Sequence, residues 1–315
     1  MIRRLALGLL VLWIITMAVF SLFYVLPNNV ARTLAGRQAT PQTVALISHR
    51  LGLDEPLWRQ YLRFVGNAAR GNLGYDYYHE VPVTHIVAAA LPITASLVIG
   101  AAVLWLLIGV FNGVVSAVRP RSAVDRGLTI FSLFFYSMPS FLLGLLLLYF
   151  LYYRLTLAGR PAFPPGGYSP FLQGPAAWLQ HMILPWLTLA LVSAATYTRL
   201  TRASMLEVLG QDYIRTARAK GLNERRVVGV HALRSAMTPV VTQLGIDVGV
   251  LLGGAVVTET VFSMPGLGKT AVDAITQQDL PVIVGIVLVA AVAVVLANIA
   301  VDLAYAVLDP RVRLH

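Results

Sequence analysis

Residues 92–118 read PITASLVIGAAVLWLLIGVFNGVVSAV, and this run settles the class of the protein. It contains no Asp, Glu, Lys or Arg. At 1.5 Å of rise per residue a helix of this length spans about 40 Å, more than the roughly 30 Å hydrocarbon core of a bilayer. In lipid every backbone polar group must be satisfied within the segment, so a run of this kind is a helix. Similar runs cover 128–153, 237–262 and 282–308, and a shorter one with Pro185 near its start covers 183–200. The run 5–26 follows Arg3 and Arg4, but a signal peptide has an apolar region of only about 7–15 residues. Tyr24, Val25, Leu26 and Pro27 do not make a small-residue cleavage site. We read 5–26 as a retained first span, which makes six spans and an all-α integral membrane protein.

Composition agrees. Hydrophobic residues make up 57% of the 315 residues and charged residues 12%, with a mean hydropathy of +0.74. A soluble domain carries about 25% charged residues. There is no cysteine, so disulfides, thiolate nucleophiles and cysteine metal sites are excluded. The net charge of +10 invites a nucleic-acid reading, but its distribution removes it. The short connections carry 15 Lys and Arg on the side of the two termini and 3 on the other. That bias puts both termini in the cytoplasm of a plasma (inner) membrane protein. The basic excess is topology, and no nucleic acid is expected.

The spans divide the chain into a first helix (1–27), an extracytoplasmic lobe (28–90), a five-helix core (91–308) with a cytoplasmic loop at 201–236, and a tail (309–315). Helix punctuation marks the lobe. Thr40 and Pro41 suit an N-cap and first helical position, and Gly52 suits the stop. Asp54 is placed to cap a second helix, which Gly71 ends after Arg70. The 154–182 connection is rich in Pro and Gly, as an irregular outer loop should be.

The polar exception is 212–239. Lys220 then Gly221 reads as a cationic last helical turn followed by a left-handed stop, and Asn223 with Glu224 starts a second helix. Gly210 is the one weak point in a helix over 206–220. Two short helices joined by a glycine bend can enter a partner's groove, and an ordinary positive-inside loop explains the same residues. The stretch Tyr213, Ile214, Arg215, Thr216, Ala217, Arg218, Ala219, Lys220, Gly221, Leu222, continued by His231, Ala232, Leu233 and Arg234, resembles the cytoplasmic "EAA" loop of membrane subunits of ABC importers, in its dipeptide/oligopeptide/nickel branch. Arg215 and Arg234 depart from the general pattern, which has glutamate and proline there, and look like that branch's own version. Leu51, Gly52, Leu53 and Asp54, then Gly71, Asn72, Leu73 and Gly74, resemble the branch's outer lobe. Glu259 to Phe262, Pro265 to Gly268 and Asp279 to Val282 resemble its last outer loop.

The resemblance implies the type I ABC importer permease architecture and transport of peptides or similar small solutes. It implies partners: a second homologous permease subunit, two ATP-binding cassette ATPase subunits, an extracytoplasmic substrate-binding protein and the lipid bilayer. ATP and Mg would sit on the ATPase subunits, with no cofactor and no catalytic residue on this chain. Tyr213, Arg215, Thr216, Ala217, Arg218, Ala219, Lys220, Gly221, Leu222, Glu224 and Arg225 would contact the ATPases. Glu259, Phe262, Pro265, Gly266, Gly268 and Asp279 would face substrate or the binding protein.

Ser263 to Thr270 falls one glycine short of a P-loop, but it follows a span instead of a buried strand and lies on the outer side, so nucleotide binding is not expected. Asp247, Glu259 and Asp302 lie in or near spans, where an ionised carboxylate costs about 2.5–3.5 kcal/mol at the bilayer centre. Glu259 and Asp302 lie near span ends and read as hydrated, and Asp247 as a helix–helix hydrogen bond. An ion-gradient-driven secondary transporter using Asp247 and Glu259 stays open as the alternative. Gly249, Gly253 and Gly254 suit close helix packing. His85, His181 and His231 lack metal-ligand spacing, and no metal site is expected.

Overall fold

The computed structural model describes residues 2–22, 40–51, 54–76 and 79–308. The expectations for 24–39, for Gly52 and Leu53 and for the 309–315 tail lie outside these residues, as does the side chain of Asp302. In chain order the elements are α1 (Ile2–Phe20), α2 (Pro41–Leu51), α3 (Leu57–Ala69), β1 (Tyr75–Asp76), β2 (Val81–Pro82), α4 (Val83–Val118) and α5 (Ala123–Tyr136). There follow α6 (Ser140–Leu157), α7 (Pro175–Leu209), α8 (Asp212–Ala219), α9 (Glu224–Leu252), α10 (Val256–Val261), α11 (Leu267–Gln277) and α12 (Leu280–Leu308). Among the described residues five helices are long and apolar enough to cross a membrane, namely α4, α6, α7, α9 and α12, and a shorter apolar stretch, Ala6–Phe20, lies in α1.

Two of the expected spans are redrawn. The apolar run 128–153 is not one helix: α5 ends at Ser137, and Pro139, in extended conformation, opens α6. Proline drives the residue before it out of the helical region, whereas hydropathy averages straight through it. The run 237–262 also breaks, because α9 stops at Leu252 and Gly253, Gly254 and Ala255 separate it from α10. In the other direction, α7 extends well beyond 183–200, and Pro185 is accommodated inside it.

The centre of the bundle is the α4–α7 pair. A Cβ on Gly109 would lie 2.4 Å from the Tyr197 Cβ, and one on Gly113 would lie 2.8 Å from the Thr198 carbonyl oxygen, so these glycines set the approach of the two helices. Trp105 and Tyr197 pack in the resulting core, ring centroids 5.9 Å apart. Gly249 and Gly253 do face α12, through Val294 and Ala290, but only at ordinary contact distances.

The lobe helix α3 lies on the ends of α1 and α12. Phe20 packs edge-on against Tyr61, Thr16 and Tyr61 share a hydrogen bond, and Phe64 and Ala68 pack near Val284 and Leu288. α3 stops as expected, with the Gly71 N–H on the Ala68 carbonyl and Asn72 N–H on Asn67. Its start differs. Pro56 holds the N-cap position with no side-chain cap, and Asp54 instead accepts a hydrogen bond from Ser48 Oγ at 3.1 Å.

Candidate coupling site

One end of the bundle gathers the last turns of α4 and α7, all of α8 and the first turns of α9. The polypeptide leaves α7 at Gly210 and Gln211, enters α8, and turns back at Gly221. That turn is a full Schellman ending: the Gly221 N–H donates to the Arg218 carbonyl at 2.9 Å, and the Leu222 N–H to Ala217 at 3.3 Å. Gly221 has φ +76°, and a Cβ there would meet nothing within 4 Å, so backbone conformation and not space selects glycine. Asn223 Oδ1 then accepts from the Arg225 N–H and starts α9, which runs without a break into the span through a π-helical turn, Val227–Ala232.

α8 has two faces. Ile214 and Ala217 are buried with Ala117 of α4, Met205 of α7 and Val227, Ala232 and Ala236 of α9, and Leu222 packs at the edge of this cluster. Tyr213, Arg215, Thr216, Arg218, Ala219, Lys220 and Gly221 are exposed, as are Glu224 and Arg225 beyond the bend. Arg218 closes the bend with a two-pronged ion pair to Glu224, at 2.7 and 3.1 Å. Both partners are exposed, so the pair contributes at most about 1 kcal/mol. Arg215 reaches Asp212 at 3.2 Å on the same surface. Nine of the eleven residues expected at this site therefore form a small surface around the bend, while Ala217 is buried beneath it and Leu222 packs at its edge. Ile214 and Ala217 share one buried cluster with residues at the ends of α4, α7 and α9.

Beside it lies a network that reading along the chain does not reveal. Asp125, at the start of α5, accepts both guanidinium prongs of Arg202 from α7, at 2.9 and 2.8 Å. It also accepts the Ser116 hydroxyl of α4 and the Arg121 N–H at 2.8 Å. Arg202, with help from Ser116 and the Arg121 amide, holds the Asp125 carboxyl well below the usual carboxylate range. The one local signal was Ser122 before Asp125, a cap pattern that forms, with Ser122 Oγ accepting the Asp125 N–H. Its link to Arg202 spans 77 residues and leaves no periodic trace.

The opposite end is built differently. Glu259 is 0% exposed, so the reading of a hydrated carboxylate near a span end is corrected. Thr94 Oγ donates to Glu259 Oε1 at 2.6 Å and itself accepts the Leu267 N–H, while the Lys269 N–H donates to Glu259 Oε2 at 2.9 Å. The carboxylate therefore caps the positive end of α11. Gly266 makes room: a Cβ there would lie 2.4 Å from Glu259 Cδ. Two of the amides a P-loop would lend to phosphate, those of Leu267 and Lys269, are thus already engaged, and Lys269 Nζ reaches Asp273 instead.

Of the other outer-loop candidates, Phe262, Gly266, Gly268 and Asp279 are buried and only Pro265 is exposed. The Phe262 carbonyl accepts the Gly167 N–H at 2.7 Å, tying the two outer connections together. Asp247 accepts from Tyr197 OH of α7 and from Gln243, both at 2.9 Å, which makes it the helix–helix tie expected.

Comparison with known proteins adds sequence relationship to this geometry. The family described as binding-protein-dependent transport system inner membrane component matches residues 109–314, and its N-terminal companion matches residues 1–98. The chain is 40% identical over 312 residues to a probable peptide ABC transporter permease, y4tP, of Sinorhizobium fredii, covering 99% of this chain and 98% of the relative. It is 39% identical over 333 residues to the dipeptide transport system permease DppB of Escherichia coli K12, covering 99% and 98%. Among solved structures, an inward-facing methionine ABC transporter, MetNI, superimposes with a TM-score of 0.55 at 19% identity, over 71% of this chain and 96% of that one. That likeness concerns the fold.

Proposed function

The chain belongs to the binding-protein-dependent transport system inner membrane component family, and from that membership we propose that it supplies half of the membrane pathway of an ATP-driven peptide importer. It is a multi-pass inner membrane protein. Both termini, the 201–236 loop and the tail face the cytoplasm, and the segment between the first two spans faces outward. A second homologous permease subunit completes the pathway, an extracytoplasmic binding protein delivers substrate to the outer loops, and two ATPase subunits hold ATP and Mg. This chain carries no catalytic group of its own.

The observation that supports this reading most directly is the two-faced α8. Its exposed face, Tyr213, Arg215, Thr216 and Arg218 to Gly221 with Glu224 and Arg225, is the contact for the ATPase groove. Its buried face, Ile214 and Ala217, passes the movement of that groove to the ends of α4, α7 and α9. A device of this kind needs a partner that moves, and nucleotide-driven closure supplies the movement. Pro265 is the candidate left exposed to meet substrate or the binding protein.

The ion-gradient reading is not favoured. Asp247 is held by Tyr197 and Gln243, and Glu259 by Thr94 and the α11 amides, so each carboxylate already has fixed donors.

The test is Gly221→Asp in the assembled, reconstituted transporter. Aspartate at φ +76° is strained by about 1 kcal/mol or more and adds a negative charge at the tip. The variant is expected to insert and assemble while peptide uptake falls at least tenfold and ATP hydrolysis loses its response to substrate-loaded binding protein. Normal uptake with normally stimulated hydrolysis overturns the coupling role.

A further inference from the structure

We propose that Asp76, His79 and Asp279 form a binding site for a first-row divalent cation of the zinc class, joining the β1–β2 hairpin to the junction of α11 and α12. The three residues offer one imidazole nitrogen and two carboxylate oxygens, all within 4.8 Å of one another. Each is held by its own backbone setting. Asp76 lies on β1, paired with Val81 across the hairpin, and its Oδ1 accepts the His79 N–H at 3.0 Å. Asp279 follows Gln278, whose left-handed backbone ends α11, and its Oδ1 accepts the Val282 N–H at 3.3 Å at the start of α12.

The second observation is the remaining oxygen of Asp279. Oδ2 is buried and receives no hydrogen bond, in a residue only 9% exposed. Its neighbour is the carboxylate of Asp76, 0% exposed and an acceptor like itself. A protonated His79 answers only part of this. Its Nδ1 lies 2.6 Å from Asp76 Oδ2, so a proton there serves Asp76 and leaves the inner oxygen of Asp279 unserved. A proton shared between the two carboxyls would serve that oxygen but cancel only one of their charges, whereas a cation among the three groups serves both carboxylates and balances both charges.

Ligand chemistry narrows the ion. Imidazole suits zinc and its first-row neighbours, whereas calcium and magnesium favour all-oxygen shells. Bonds of about 2.0–2.1 Å to nitrogen and oxygen require the ligand atoms to rearrange by about an ångström from their present spacing. His79 can move that far, because its side chain is 51% exposed. The same exposure gives the ion an entry path and leaves a coordination position for water. Asp76 and His79 sit three residues apart in a turn and Asp279 lies far along the chain, so no spacing rule applied to the sequence finds the set. Bound metal would staple the hairpin that leads into α4 to the base of α12.

The experiment uses the purified full-length chain in detergent, stripped with chelator and dialysed. Zinc is titrated by calorimetry, with bound metal counted by elemental analysis and thermal unfolding followed in parallel. The wild type is expected to bind one zinc ion per chain and to melt at higher temperature with zinc than without it. His79→Ala, at an exposed position, and Asp279→Asn should each weaken zinc binding at least tenfold and lose the zinc-dependent shift, with metal-free melting showing that they remain folded. Equal zinc binding by all three proteins, or none by the wild type, overturns the site. Tighter binding of calcium than of zinc overturns the assignment of ion class.

Discussion

The two ends of the bundle each hold a short helix against the spans by apolar packing, and only one of them adds buried polar contacts. α8 is fixed by two apolar side chains, Ile214 and Ala217, and presents everything charged to the outside. α11 buries Leu267 and Ala274 in the same way and adds buried polar contacts, with Thr94 and Glu259 on its first amides and Gly266 stripped of a side chain to admit them. Apolar packing is non-directional, so a helix held that way can rock while keeping its contacts. A buried carboxylate held by fixed donors has one good geometry and pays heavily for any other. On the proposed function, the end held by apolar contacts alone would transmit movement and the end with the buried carboxylate would stay rigid.

The comparison breaks most easily at Glu259. Glu259→Ala removes a buried anion, orphans the Lys269 amide and leaves a cavity, and should destabilise the protein by about 3 kcal/mol. Thermal unfolding in detergent measures it. A loss within experimental error of zero would falsify the rigid-end reading.

The Asp125 network tests whether the coupling end also contains a fixed part. Asp125→Asn should cost about 2 kcal/mol at neutral pH. The folded-state pKa of Asp125 lies below its unfolded value, so its stabilisation is present above about pH 3.9 and is lost only as pH falls below that value. Melting temperatures of wild type and variant should therefore stay separated by a constant gap from pH 8 to 5. A gap that closes within that range shows that the Arg202 pairing does not hold the carboxylate ionised.

The smallest effect sharpens the contrast. Arg218→Ala removes the exposed pair with Glu224 and should change stability by less than about 1 kcal/mol. If the surface around Gly221 is a docking face, the same variant should still reduce affinity for the ATPase subunits, measured by co-purification at rising salt. A stability loss as large as that of Glu259→Ala places Arg218 among the structural residues instead.

The helix pair and its bend were readable because their signals are local. Lys220 with Gly221 ends one helix, Asn223 with Glu224 begins the next, and the surrounding residues are polar between two apolar spans. The Asp54 cap failed because a cap depends on the following few dihedral angles, and Pro56 took the position. The redrawn spans at Pro139 and at Gly253 and Gly254 have a related cause. Hydropathy summed over a window responds to side chains, whereas a helix break is a backbone event at one or two residues.

The sequence by itself determined that this chain lies in a membrane, which end is basic, and where the polypeptide bends at Gly221, because apolar run length, charge count and glycine backbone freedom act within a few residues. Tertiary structure alone decided that Glu259 is a buried cap, that Asp125 belongs to Arg202, and that Asp279 meets Asp76 and His79. Those pairings join residues far apart in the chain. The environment that sets the charge and role of each group comes from helices packing together, and no stretch of the chain contains it.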